Sequence, residues 1–170
     1  MKRFFIILII IGTALSSSNN NKYLGNCLLI PRHEKVPLYN SSNQLEISDY
    51  IINDTLKDDY PLITIDFIKD SLALVHVQYP MRSRKECKGW IQMKYLGTYI
   101  NQADGILKIY RMPSDDSEVS FEIMNAYWGI YYPVIDAHEG WLKVVIPDDS
   151  GRIGWLHPDD QSQNPYTPSC

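Results

Sequence analysis

The sequence predicts an all-β protein: two small β-barrels in tandem behind an N-terminal export signal. Three observations carry this. Beyond Lys22 there is almost no helical periodicity, and short runs rich in Val, Ile, Tyr and Trp alternate with Gly, Pro, Asn and Asp. Within several runs the apolar residues fall at every second position, the period of a half-buried strand. The runs also recur: Val36-Pro37-Leu38-Tyr39 matches Leu107-Lys108-Ile109-Tyr110, and Lys88-Gly89-Trp90-Ile91 matches Ile153-Gly154-Trp155-Leu156.

Residues 1–18 read as a signal peptide. Lys2 and Arg3 precede an apolar run that opens at Phe4, and Ala14-Leu15-Ser16 supplies the small residues of a cleavage site. From Phe4 to Leu15 the run has 12 residues, against roughly 20 for a helix that crosses a bilayer. No integral membrane span is therefore expected. Residues 19–30 read as a polar lead segment. Leu24-Gly25-Asn26-Cys27 has the outline of a lipoprotein box, but Asn26 fits poorly before a modified Cys, and Cys27 lies far beyond the apolar run. The product is expected to be periplasmic or secreted, without a lipid anchor.

Residues 31–100 form the first expected barrel. In Leu62–Ile68 the alternation puts Ile63, Ile65 and Phe67 on one face. In Leu72–Tyr79 it groups Ala73, Val75, Val77 and Tyr79, and Lys69-Asp70-Ser71 turns between the two runs. Gln44–Asp59 is ambiguous: its apolar residues suit a short helix or a loop edge. Residues 101–165 form the second barrel, with Val134-Ile135 and Trp141–Ile146 around a turn. Pro147-Asp148-Asp149-Ser150-Gly151 then leads into Ile153–Leu156. Residues 166–170 are a tail. A unit of roughly 60–70 residues with about five short strands can just bury a core. Tyr39 and Tyr110 are 71 residues apart and Trp90 and Trp155 are 65, so the first copy holds extra loop residues, part of them at Pro80–Lys85.

Composition excludes several functions. Lys and Arg total 16 against 20 Asp and Glu, a net charge of −4. Removing Lys2 and Arg3 with the signal deepens this to −6. Such a chain lacks the basic footprint a nucleic-acid partner requires. His33, His76, His138 and His157 show no metal-ligand spacing. There is no Gly-x-Ser-x-Gly and no phosphate-cradling glycine loop. No catalytic residue, metal or cofactor is assigned, and the protein is read as no enzyme. Arg82, Arg84, Lys85 and Lys88 form a local basic patch that could touch an anionic polymer or lipid head group, although its simplest role is to keep a hairpin tip soluble and block edge pairing. The three cysteines, Cys27, Cys87 and Cys170, permit one disulfide in any of three pairings. Cys87 with Cys170 is preferred, because a terminal cysteine has little packing role.

Gly140-Trp141-Leu142-Lys143-Val144, followed by Gly151-Arg152-Ile153-Gly154-Trp155-Leu156, resembles bacterial Src-homology-3-like domains, here in tandem. The first copy keeps Gly89-Trp90-Ile91 and Lys94-Tyr95-Leu96 but has Leu72 where the second has Trp141. The closing Asn164-Pro165-Tyr166-Thr167-Pro168 resembles tails of small exported proteins of the Bacteroides group. In such barrels Gly89 and Gly154 allow a bend or close backbone approach, and Trp90 and Trp155 serve as core or lid. The surplus of aromatic residues, 12 Tyr, 4 Trp and 4 Phe, centres on Tyr127, Trp128, Tyr131, Tyr132 and Trp141. Of these, Tyr127, Trp128, Tyr132 and Trp141 are the candidate ligand contacts. The resemblance implies an envelope module that binds cell-wall peptide or glycan. A protein–protein adaptor for an envelope protein, and an accessory or inhibitor of a wall hydrolase, are the alternatives.

Overall fold

The computed structural model describes residues 23–29, 35–44, 46–53, 59–101 and 105–162. The signal segment 1–18, His33, Cys170 and the tail 166–170 lie outside them. Among the described residues the chain is all-β, with no α-helix. The first half runs β1 (Gly25–Leu29), β2 (Lys35–Tyr39), β3 (Ile47–Ile52), β4 (Leu62–Lys69), β5 (Leu72–Gln78) and β6 (Cys87–Gln92). A 3-10 turn, Met93–Tyr95, then leads to β7 (Leu96–Ile100). The second half runs β8 (Gly105–Tyr110), β9 (Val119–Ala126), β10 (Tyr132–His138), β11 (Trp141–Val145) and β12 (Ile153–Leu156). The 3-10 turn Pro158–Asp160 follows, and then β13 (Gln161–Ser162).

Every pairing is antiparallel, and the strands make one open sheet rather than two separate ones. Its order is β3-β2-β6-β5-β4-β1-β7-β10-β11-β12-β8-β9, with β13 branching from β7. Along this path the halves repeat in register. Tyr39 faces Trp90 across β2 and β6, and Tyr110 faces Trp155 across β8 and β12. Val75 faces Gly89 as Val144 faces Gly154. Each half bulges at the same place, between Ile65 and Phe67 in β4 and between Val134 and Asp136 in β10. The connection between halves repeats as well. β1 pairs with β4 and β7, while β7 pairs with β10 and β13. Thus β7 ends one repeat and begins the next.

Both glycines of the recurring motif sit where strands approach closely. A Cβ on Gly89 would stand 2.7 Å from Leu38 Cγ and 2.9 Å from the Tyr39 carbonyl oxygen. A Cβ on Gly154 would overlap Ile109 and come within 3.1 Å of the Tyr110 carbonyl oxygen. The indoles beside them differ in cover. Trp155 is buried with Lys143 Nζ 5.7 Å from its ring centroid. Trp90 is half-buried, and the edge of Phe67 meets it at 6.2 Å.

Three local expectations change. Residues 25–29, assigned from sequence to the polar lead, form β1 at the middle of the sheet, and Cys27 is fully buried there. Burial pushes the Cys27 thiol far up from its ordinary pKa. The ambiguous stretch 44–59 holds a strand, β3, because β2 offers it a partner from Lys35↔Ile52 to Tyr39↔Ile47. Phe67 does not share the face of Ile63 and Ile65. The bulge adds a residue after Ile65, reverses the alternation, and leaves Phe67 53% exposed. The core is one contiguous cluster through both halves, from Val36, Ile51 and Ile91 through Cys27 and Leu96 to Leu107, Leu142 and Val144. The Cys87–Cys170 pair has one member outside the described residues; Cys27 and Cys87 are not joined to each other.

Candidate functional site

Trp141 opens β11, just after a turn in which Glu139 (φ 49°) and Gly140 (φ 93°) both take the left-handed backbone of a tight hairpin. That turn drives the indole back under two other rings. Tyr110 meets Trp141 edge to face at 5.2 Å and 85°, and His157 does so at 4.8 Å and 86°. Trp141 is consequently buried; it supports the surface rather than forming it.

His157 is fixed by its position as the cap of the Pro158–Asp160 turn. Its Nδ1 accepts the Asp159 backbone N–H at 3.1 Å, so the ring proton belongs on Nε2, which lies 3.1 Å from Asp115 Oδ1 in the β8–β9 loop. Gln161 Nε2 donates to the carbonyls of Gly140 (2.8 Å) and Leu156 (3.2 Å), tying this turn to the one before Trp141. The result is a partly buried imidazole, held between a carboxylate and the rings of Trp141 and Tyr110. Sequence reasoning missed Tyr110, Asp115 and His157 as a group, since Asp115 and His157 are 42 residues apart. The available signal was His157-Pro158-Asp159, a cap followed by a proline at the first position of a turn.

The other candidate aromatics separate. Tyr127 and Trp128 lie together on the β9–β10 connection, with centroids 5.2 Å apart and planes at 43°. Tyr127 is 47% exposed and Trp128 is half-buried. Tyr131 packs over β7, where its ring occupies the space a Cβ on Gly97 would take, and it meets the Tyr99 ring at 5.5 Å and 78°. Tyr132, expected on a binding surface, belongs to the core at 1% exposure. It pairs with Thr98 of β7, and burial raises its phenol pKa. Of the four candidates, Tyr127 and Trp128 alone present ring surface to solvent. Such a pair can stack on the apolar face of a sugar or on a flat peptide group.

Among the described residues, no three His, Cys, Asp or Glu side chains converge as a metal site would require. No helix is long and apolar enough to cross a membrane among these residues. In the basic patch, Lys88 pairs with Asp66 at 2.6 Å, whereas Arg82, Arg84 and Lys85 are exposed.

No protein-family model matches the chain, and no curated protein does. Among the solved structures similar in part are two from one organism. NlpC1 from Trichomonas vaginalis is 18% identical with a TM-score of 0.31, over 87% of this chain and 48% of its own. NlpC2 from the same organism is 17% identical with a TM-score of 0.32, over 85% of this chain and 49% of its own. The chain thus spans about half the length of these proteins, and likenesses at such scores carry no weight for its activity.

Proposed function

We propose that the protein is an exported, non-enzymatic binding or scaffolding module of the cell envelope. Its two repeats are read as Src-homology-3-like units that share β7, and it contacts cell-wall peptide or glycan through Tyr127 and Trp128. The observation that carries this is the ring pair itself. Two adjacent aromatics stand on a connection outside the core, beside the 38% exposed Ile130, while Tyr132 and Trp141 pack inward. An aromatic surface left open on a module whose core is already filled calls for a partner with apolar faces. The repeated register and the close approaches at Gly89 and Gly154 support the two-unit reading.

The adaptor reading has its own support. Ile106 and Met124 face each other across β8 and β9 and are 45% and 63% exposed, an apolar pair open to a protein partner.

Retention on purified peptidoglycan tests the proposal. Tyr127→Ala with Trp128→Ala should abolish retention while leaving the melting temperature within about 2 °C, because these rings carry little of the core. Tyr132→Ala should instead destabilise by about 3–5 kcal/mol, the cost of emptying a large buried aromatic site. Wild-type protein that is not retained refutes the wall reading. A stable complex with an envelope protein, lost on Met124→Lys, would then establish the adaptor.

A further inference from the structure

The first half holds a polar cleft of about 310 Å³ between β3 and the connection from β5 to β6. Asp49 and Tyr50 line it from the strand; Tyr79, Ser83, Arg84 and Lys85 line it from the connection. The walls are built before any ligand arrives. Asp59, fully buried, accepts the backbone N–H groups of Met81 (2.9 Å) and Ser83 (2.8 Å) and so holds the connection in shape. The Tyr79 hydroxyl accepts the Ile52 N–H at 3.0 Å, which fixes the phenol against β3 and leaves its own proton to donate.

The cleft is unbalanced in a particular way. Asp49 Oδ1 accepts the Tyr50 N–H at 2.7 Å. Among the described residues, Asp49, Arg84 and Lys85 form no ion pair with one another. Among the same residues, Ser83 Oγ is buried without a hydrogen-bond partner. Two cations and three hydroxyl-bearing side chains, Tyr50, Tyr79 and Ser83, therefore line a space that also carries a carboxylate. Both signs line the same cavity, as does Cys87; in keeping with this, burial raises the pKa of the Cys87 thiol, Asp49 adds to that rise and Arg84 opposes it. Asp49 would repel a simple anion, and Arg84 with Lys85 would repel a simple cation. A ligand with both charges satisfies every group.

We propose that this cleft binds a small zwitterion of the α-amino-acid class, either free or as a short peptide with both ends unblocked. Its carboxylate lies on Arg84, Lys85 and Ser83, and its ammonium lies on Asp49. The volume is at the low end of small-molecule sites, suited to one or two residues rather than a polymer segment. The assignment does not depend on Tyr127 and Trp128.

The full chain is titrated by calorimetry and by amide chemical shifts with alanine, alanyl-alanine, N-acetylalanine, alaninamide and inorganic phosphate. Alanine or alanyl-alanine should bind and shift residues 49–50 and 79–87, and the tighter of the two identifies the free or the peptide source. Blocking either charge should weaken binding about tenfold or more, a loss of about 1.4 kcal/mol or greater. Asp49→Asn, and Arg84→Gln with Lys85→Gln, should do the same with unchanged melting temperature, since these side chains are exposed. Tyr127→Ala with Trp128→Ala should leave the titration unaltered, which separates this proposal from the wall reading. Binding of N-acetylalanine or phosphate as tight as that of alanine would overturn it, as would no binding of either zwitterion at millimolar concentrations.

Discussion

Gly89→Ala puts one atom into the closest approach of the first repeat. At an unstrained position, Gly→Ala stabilises a protein by about 0.4–1 kcal/mol, because the unfolded chain loses freedom. Gly89 does not have a positive φ, so backbone conformation alone favours the substitution. Space opposes it. The new Cβ would meet Leu38 Cγ at 2.7 Å and the Tyr39 carbonyl oxygen at 2.9 Å. A leucine can turn aside, but the carbonyl belongs to the β2 backbone that pairs with β6 beside Trp90. Overpacking of this kind costs about 1–3 kcal/mol; with a backbone carbonyl as the obstacle the upper part, about 2–3 kcal/mol, applies, and an entropic gain of about 1 kcal/mol leaves a net loss of about 1–2 kcal/mol. For a chain of this size that lowers the melting temperature by roughly 2–8 °C. Urea and thermal melts followed by tryptophan fluorescence measure it. In a Leu38→Ala background the penalty should shrink, because only the carbonyl still obstructs. Gly154→Ala should change in the same direction through Ile109 and the Tyr110 carbonyl. Unchanged or raised stability in Gly89→Ala would refute the close-approach argument, since the sign itself would be wrong.

Two further outcomes follow from the geometry. The Ser150 hydroxyl and then the Arg152 guanidinium, whose Nη2 lies 2.8 Å from Oδ2, hold the Asp148 carboxyl down at about 2 against an ordinary 3.8. Because the folded value is the lower one, this cluster stabilises above about pH 4 and the contribution fades as pH falls through about 2. Ser150→Ala should move the Asp148 midpoint up toward 3.8 in an NMR titration; a fixed midpoint would contradict the assigned cause. The shared strand predicts that a fragment of residues 102–170, which lacks β7, leaves β10 and β13 without their partners Gly97–Ile100. That fragment should melt without a sharp transition, whereas 95–170 should regain one. Equal cooperativity in the two fragments would show that β7 is not common to both repeats.

Much of the local structure was legible in the residues. The alternation in Leu62–Ile68 and Leu72–Tyr79, with Asp70 and Ser71 between them, corresponds to β4 and β5. Pro147–Gly151 likewise separates β11 from β12. These are short-range signals, because side-chain period and turn chemistry act over a few residues. The site was less legible. Tyr127 and Trp128 were identifiable as aromatic surplus, but whether Tyr132 faced water or core depended on the phase of β10 against β7 and β11. The contact of His157 with Asp115 joins a turn to a distant loop and leaves no periodic trace.

By itself, then, the chain determined that it would be a β protein, and that glycine would stand beside each recurring tryptophan. Tertiary structure decided the rest. It made β1 and β7 interior strands, turned Phe67 outward at a bulge, buried Tyr132 and Trp141, and set unpaired charges of both signs around one cleft. The reason is physical. Period and propensity fix what a segment prefers, whereas strand partners, bulge phase and the facing of charges are settled only when residues far apart in the chain compete for the same space and the same hydrogen bonds.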